Sequence, residues 1–204
     1  MLHWIGVFVI GYVLGSVPVG FLIVHWVRGV DVRGIGSGRT GGTNVLRAAG
    51  WKIALVTVLM DILKAALAVS VARWLDSPPL LLALAGAAAV LGHNYSVFLR
   101  FQGGAGAMAA VGGAMALWPW NGAILLFVGL LIVLTIRYAS VASITIALST
   151  PVIFAVRAAL GYGPWAYVVY GVLVAMLILW ALRPNIRRLF RGEERRVDLR
   201  ASRE

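Results

Sequence analysis

The chain has 204 residues, of which 61% are hydrophobic and only 12% are charged. A soluble domain carries about 25% charged residues, so this composition excludes an ordinary soluble domain and indicates a polytopic membrane protein. The net charge of +11 lies mainly in short loops and in the C-terminal tail, which indicates membrane topology and not nucleic-acid binding. Cysteine is absent, which excludes disulfides and thiol catalysis.

Long apolar runs with short breaks predict an all-α integral membrane protein with about seven transmembrane helices. About 20 apolar residues cross a hydrocarbon core of roughly 30 Å, and a helix satisfies its backbone amides without water. The fourth and fifth runs are shorter, so we expect them to tilt or to cross incompletely. The predicted spans are residues 4–26, 53–73, 79–99, 105–120, 122–137, 141–160 and 164–182.

The first span begins without a basic segment and has no small-residue cleavage site after it, so we do not expect a cleaved signal peptide. It contains GSVPVG at residues 15–20, where Pro18 should kink the helix. We divide the chain into a membrane domain, residues 1–182, and a basic cytosolic tail, residues 183–204.

The distribution of Lys and Arg predicts the orientation. The loop 27–52 carries five of them and the tail carries eight, whereas the opposite side has only Arg73 and Arg157. The positive-inside rule then places the loop 27–52 and the C-terminus in the cytosol, and the N-terminus outside. We interpret the tail as an anchor of topology; the alternative is that it also binds anionic lipid headgroups.

The loop GIGSGRTGGTN, residues 34–44, has five glycines in eleven residues. It matches the dinucleotide pattern GxGxxG, but no strand precedes it, so a Rossmann site is excluded. Glycines let backbone amides converge on an anion, and hydroxyl, amide and guanidinium groups add donors. We therefore predict a phosphate site here; the alternative is a flexible loop. Its candidate residues are Gly36, Ser37, Gly38, Arg39, Thr43, Asn44 and the following Arg47.

A second glycine loop contains Gly103, Gly104 and Gly106 and opens the fourth predicted span on the same side of the membrane. Free amides at the start of a helix suit an anion. The alternative is that these small residues only allow close helix packing.

Polar residues also occur within and between later spans. Asp61 and Lys64 lie three residues apart on one helical face, either as a structural ion pair or as a polar wall of a binding site. Ser140 and Ser143 follow Arg137 in the third cytosolic loop, where their hydroxyls either cap a helix or bind phosphate. Many acyltransferases have a histidine with Asp five residues later, and none of the three histidines of this chain fits that pattern. We interpret His93 as a structural hydrogen bonder. We expect no metal and no cofactor.

Six stretches together resemble the acyl-phosphate:glycerol-3-phosphate acyltransferase family (PlsY), in the family's order and over nearly the whole chain. They are GSVPVG at 15–20, DVRGIGSGRTGGTNVLRAAG at 31–50, DILK at 61–64, GHNYSVFLRFQGGAGA at 92–107, RYASVAS at 137–143 and NIRRL at 185–189.

The resemblance implies a seven-span bacterial inner-membrane enzyme with a cytosolic active site. Such an enzyme moves an acyl group from acyl phosphate to the 1-hydroxyl of glycerol 3-phosphate, giving lysophosphatidic acid and phosphate in phospholipid biosynthesis. It implies catalytic positions for Ser37 and Arg47 and a substrate-binding position for Asn185.

The chain departs from the family pattern at four positions. The second loop of the family has Lys where this chain has Ala105, and the C-terminal motif has His where it has Leu182. The first loop commonly has Asn and Ala where this chain has Arg39 and Gly42. One hypothesis is that Arg39 replaces the missing cation. The alternative is a non-catalytic paralogue that binds lipid phosphates or a partner. A small transporter is less favoured, because paired broken helices with midplane charges are not evident.

Overall fold

A computed structural model describes residues 1–198, and the regular elements in that part of the chain are all helical, which confirms the predicted fold class. Two short 3-10 helices, Val32–Gly34 and Val97–Leu99, lie in the loops that precede the glycine motifs. The α-helices are α1 (Leu2–Ser16), α2 (Val19–Arg28), α3 (Gly42–Ala49), α4 (Trp51–Trp74), α5 (Pro79–Asn94), α6 (Ala107–Leu117), α7 (Pro119–Thr135), α8 (Ala139–Ala159), α9 (Ala166–Ala181) and α10 (Arg183–Phe190).

Each predicted span contains a helix, but the helices differ in length. Within residues 1–198, four stretches are long and apolar enough to cross a bilayer: Leu2–Arg28, Trp51–Trp74, Pro79–Leu99 and Ala139–Ala159. Helices α9 and α10 would form a fifth, with a bend of 63° between them. Helices α6 and α7, in the fourth and fifth apolar runs, have 11 and 17 residues, and each is too short to meet this criterion by itself. The count of seven spans therefore stays a prediction.

The first span is interrupted at Pro18, between α1 and α2. Proline has no backbone N–H and disrupts the preceding turn, so nearby carbonyls lose their helical partners. Lys64 donates to the Val17 carbonyl at 2.9 Å, and the Ser96 hydroxyl donates to the Ser16 carbonyl at 2.6 Å. The break is thus satisfied inside the protein, as backbone at membrane depth requires.

Helix α5 lies at the centre and packs against α1, α4, α6 and α9. Its middle is rich in Ala and Gly, which let neighbouring backbones approach closely. Tyr170 fills the adjacent core, where it is fully buried and donates to the Ala110 carbonyl at 2.6 Å. Large apolar side chains instead point outward from α4 and α7, as expected for surfaces that face lipid. Examples are Leu59, Leu63, Leu67, Phe127 and Leu131.

Candidate active site

A cavity of about 430 Å³ opens where both glycine loops, the start of α8 and the end of α9 meet. One part of its wall is polar, with Ser37, Arg39 and Arg47, and another part is apolar, with Leu126 and Leu130 of α7. A cavity with both kinds of wall suits an amphiphilic ligand. The predicted site residues that line it are Ser37, Arg39, Thr43, Asn44, Arg47, Gly106, Ser140, Ser143 and Asn185.

The remaining four predicted site residues, Gly36, Gly38, Gly103 and Gly104, are not among the residues that line the cavity, and substrate binding by them stays a prediction. Gly36 and Gly38 have φ of +53° and +73°, a left-handed conformation that side chains disfavour. The Thr40 amide donates to the Gly103 carbonyl at 3.4 Å, which joins the two loops. These glycines therefore shape the backbone around the cavity.

Asn44 organises the first loop. Its side chain is buried, and its amide nitrogen donates to the carbonyls of Val32, Ile35 and Arg39 at 2.7–2.9 Å. Its carbonyl oxygen accepts from the Ser37 amide at 3.2 Å. Asn44 thus holds the loop closed and presents Ser37 at the cavity, with its own donors already used. Substrate binding by Asn44 stays a prediction.

Arg39 connects three parts of the chain that are distant in sequence. One guanidinium nitrogen donates to the Gly104 carbonyl at 3.0 Å, and the other donates to the Ala181 carbonyl. These two carbonyls belong to the residues immediately before Ala105 and Leu182. Burial lowers the pKa of Arg39, although not enough to remove its charge at neutral pH.

Arg47 projects from α3 into the same cavity and is half-buried. Its guanidinium lies 3.5 Å from the Asn44 side-chain oxygen, at the limit of hydrogen bonding. Burial, followed by the positive charge of Arg195, lowers the pKa of Arg47. A guanidinium with little protein hydrogen bonding is available for an anion.

The start of α8 presents two serines to the cavity. The Ser143 hydroxyl donates to the Ala139 carbonyl at 2.9 Å, within the helix. The Ser140 hydroxyl is buried and has no hydrogen-bond partner among residues 1–198. A buried polar atom without a partner is costly, so Ser140 is the better donor for a bound ligand.

Asp61 fits both interpretations that the sequence left open, a structural ion pair and a polar wall of a binding site. Its carboxylate lies 2.9 Å from the Lys64 ammonium and 3.3 Å from the His93 Nδ1 nitrogen. Asp61 and His93 also line the cavity. Asp61 thus belongs both to a structural ion pair and to the wall of the cavity. Sequence reasoning did not anticipate that His93 joins it, since the two residues are 32 positions apart.

The C-terminal segment contributes wall residues that sequence reasoning missed. Glu194, Arg195 and Val197 line the cavity. Asn185 donates to the Glu194 carboxylate at 2.8 Å, and Arg188 donates to it at 2.9 Å. The available signal was the adjacent acidic pair Glu193 and Glu194 in a tail that is rich in arginine.

Comparison with known proteins agrees with this architecture. The family model for glycerol-3-phosphate acyltransferase matches residues 5–192. A glycerol-3-phosphate acyltransferase of Thermus thermophilus is 42% identical over 198 residues, and that of Rubrobacter xylanophilus is 42% identical over 192 residues; each match covers 94% of both chains.

The crystal structures of PlsY (YgiH), an integral membrane glycerol 3-phosphate acyltransferase, are also similar. Its glycerol 3-phosphate form is 36% identical with a TM-score of 0.84, and its lysophosphatidic acid form is 35% identical with a TM-score of 0.82. Both comparisons cover 96% of each chain. The chain belongs to the glycerol-3-phosphate acyltransferase family.

Proposed function

We propose that this protein transfers an acyl group from acyl phosphate to the 1-hydroxyl of glycerol 3-phosphate, giving lysophosphatidic acid and phosphate. The observation that carries the proposal is the cavity itself, which places Arg39, Arg47 and Ser37 beside an apolar wall from α7. Both substrates carry an anionic phosphate and one carries a long acyl chain, so they need cations and apolar surface together. The relatives' names and the two PlsY forms support the same activity.

The mechanism is direct transfer between two bound substrates. The 1-hydroxyl oxygen attacks the acyl carbonyl carbon, the bond from that carbon to the phosphate oxygen breaks, and phosphate leaves. The hydroxyl proton passes to a substrate phosphate. Arg47, Ser37 and the first-loop amides would stabilise the charge on the phosphate, and the two glycine loops would hold the substrates in line.

Arg39 would supply the cation that this chain lacks at position 105. Its guanidinium bonds the Gly104 carbonyl, directly before Ala105, and so brings positive charge to the second loop. A fixed charge beside a leaving phosphate commonly contributes a few kcal/mol to transition-state stabilisation. Ser140, Ser143 and Asn185 would complete the substrate contacts.

The protein would work in a bacterial inner membrane as a seven-span domain, residues 1–182, followed by the tail. The excess of Lys and Arg around the cavity favours a cytosolic active site, with the N-terminus outside and the C-terminus in the cytosol. Cytosolic glycerol 3-phosphate would then enter from water and the acyl chain from the bilayer.

The test is acyl transfer by the purified protein in lipid bilayers, from palmitoyl phosphate to glycerol 3-phosphate. We expect lysophosphatidic acid from the wild type and at least about a hundredfold less from Arg47→Ala. Product from neither protein would contradict the proposal.

A second candidate function rests on Ala105 and Leu182, which replace the family's Lys and His. If the site had lost its chemistry, the protein would bind lipid phosphates without acyl transfer. An inactive wild type whose Ala105→Lys, Leu182→His double variant gains activity would establish this alternative.

A further inference from the structure

The chain reverses direction after α10 and returns to the cavity. Gly192 has φ of +71°, which favours glycine, and its amide donates to the Leu189 carbonyl at 3.1 Å. The Glu193 amide then donates to the Arg188 carbonyl at 2.8 Å. The sequence thus encodes a defined turn, and residues 192–197 after it form what we name the return segment.

The return segment is fixed on both sides. On one side the Glu194 carboxylate accepts from Asn185 and Arg188, as described above. On the other side Val197 is buried, and its amide donates to the Arg137 carbonyl at 2.7 Å. Arg196 also lies over the Tyr138 ring, 5.4 Å from its centroid. These contacts hold the segment between α10 and the connection from α7 to α8.

Arg195 lies between these two attachments and lines the cavity. Its guanidinium donates to the Gly36 carbonyl at 2.5 Å, so it contacts the first glycine loop directly. Gly36 in turn lies against Arg47, since a Cβ atom added at Gly36 would lie 3.2 Å from the Arg47 Cδ. Arg195 is therefore a third guanidinium at the polar wall, beside Arg39 and Arg47.

The carboxylates in the wall form no direct ion pair with these arginines, although the charge of Glu194 acts on Arg47 from a distance. Asp61 is paired with Lys64 and His93, and the Glu194 carboxylate accepts from Asn185 and Arg188. Within residues 1–198, the ion pairs closer than 4.0 Å include none of the three arginines. Like charges converging on one cavity repel one another, and a bound dianion would remove that repulsion.

We propose that Arg195 is a substrate-binding residue that contacts the phosphate of glycerol 3-phosphate, which rests on the proposed function. Arg195 is exposed at the cavity mouth, where a water-soluble phosphate monoester enters, whereas the apolar wall that suits an acyl chain lies on α7. The return segment is then part of the active site as well as a topology signal.

The experiment compares Arg195→Ala with the matched control Arg191→Ala. Both remove one positive charge from the tail, but Arg191 lies at the end of α10 and outside the cavity wall. We expect Arg195→Ala to raise KM for glycerol 3-phosphate about tenfold or more, which is the loss of a charged hydrogen bond to a dianion. KM for palmitoyl phosphate should change less than about twofold, and Arg191→Ala should change neither KM by more than about twofold.

A binding measurement separates this proposal from the acyl transfer. Stabilisation by glycerol 3-phosphate in thermal unfolding reports affinity without turnover. An inactive wild type that still binds glycerol 3-phosphate through Arg195 would contradict the proposed function and support the binding site. Equal KM values and equal stabilisation for the Arg195 and Arg191 variants would overturn the Arg195 proposal.

A variant that keeps a polar side chain guards against a folding defect. Arg195→Gln keeps an amide donor on a shorter side chain and removes the guanidinium charge. If Arg195→Ala does not fold, Arg195→Gln should show the same rise in KM for glycerol 3-phosphate. An unchanged KM in a folded Arg195→Gln protein would also overturn the proposal.

Discussion

Two basic regions meet at the cavity, and they are held there in different ways. In the first glycine loop, residues 34–47, one buried side chain, Asn44, fixes the backbone through contacts within twelve residues of itself. The return segment, residues 192–197, is fixed by distant partners, among them Arg137 and Gly36. The contacts of Asn44 are local in sequence, whereas those that Arg195 and Val197 make join residues that are far apart in the chain.

This difference shows how to distinguish arginines that set membrane topology from arginines that bind substrate. Arginines in both regions satisfy the positive-inside rule equally well, so a count of charges cannot separate topology from binding. The residues next to each arginine that are not themselves basic distinguish the two roles. Asn44 holds the loop that precedes Arg47, and Glu194 holds the segment that carries Arg195. A fixed arginine can bind substrate, whereas a solvated one contributes mainly to orientation.

The largest expected effect comes from α3, the helix in which the first loop ends. Arg47→Ala removes a half-buried guanidinium from the polar wall, and we expect kcat/KM to fall about 10²–10³-fold. The measurement is the initial rate of lysophosphatidic acid formation. Arg28→Ala is the control, because Arg28 is exposed at the end of α2 and outside the cavity wall. If kcat/KM falls less than about threefold in Arg47→Ala, then an arginine that follows a loop fixed by local contacts is not the functional one.

Arg39 should come next, because it joins the first loop to the second loop and to α9. Arg39→Ala is expected to lower kcat/KM about tenfold to a hundredfold and also to lower the melting temperature, since two backbone carbonyls lose a charged donor. Adding Ala105→Lys to Arg39→Ala should recover activity, because it restores a cation at the second loop. In the wild type the same substitution should give no gain, because two cations would be crowded together. Equal gains in both backgrounds would show that Arg39 does not replace the missing cation.

At Ser140 we expect a smaller loss of activity and no loss of stability. Its buried hydroxyl has no partner among residues 1–198, so Ser140→Ala should leave the melting temperature unchanged or slightly higher. Activity should fall about fivefold to tenfold if the hydroxyl donates to substrate, the loss of one hydrogen bond. Thr135→Ala is the control, since the Thr135 hydroxyl donates to the Leu131 carbonyl on the exposed side of α7. A full-activity Ser140→Ala protein would leave the hydroxyl without a role in binding.

Apolar run length and the motifs predicted most of the architecture. The helical class, the break at Pro18 and the two shorter helices follow from hydrophobicity and proline chemistry, which are local properties. The motif residues Ser37 and Arg47, which the sequence predicted as site residues, line the cavity, and their catalytic roles stay predictions. Gly36, Gly38, Gly103 and Gly104 are not among the residues that line the cavity, because sequence shows that a loop bends but not which atoms it presents. Substrate binding by these four glycines stays a prediction.

Contacts between distant segments could not be predicted. Arg39 bonds a carbonyl 142 positions away, and Arg195 bonds one 159 positions away. His93 meets Asp61 only because α4 and α5 pack together. Such contacts depend on helix packing, which a single sequence does not specify residue by residue.

The smallest expected effect is at Asp31, just outside the site. It tests whether a residue that only holds the backbone near the loop affects catalysis. Asp31 accepts from the Arg33 amide at 2.9 Å and pairs with the Arg33 guanidinium at 2.7 Å, and the Arg33 side chain chiefly lowers the pKa of Asp31. A lowered pKa in the folded state means stability that is present above pH about 4 and lost as pH falls below it. Because the pair is exposed, Asp31→Asn should have only a small effect on stability at pH 7, with no change in kcat. Unfolding of both proteins between about pH 7 and pH 3 provides the measurement: their stabilities should converge at the acidic end. A constant difference would assign the effect to the turn before the glycine loop and not to the ion pair.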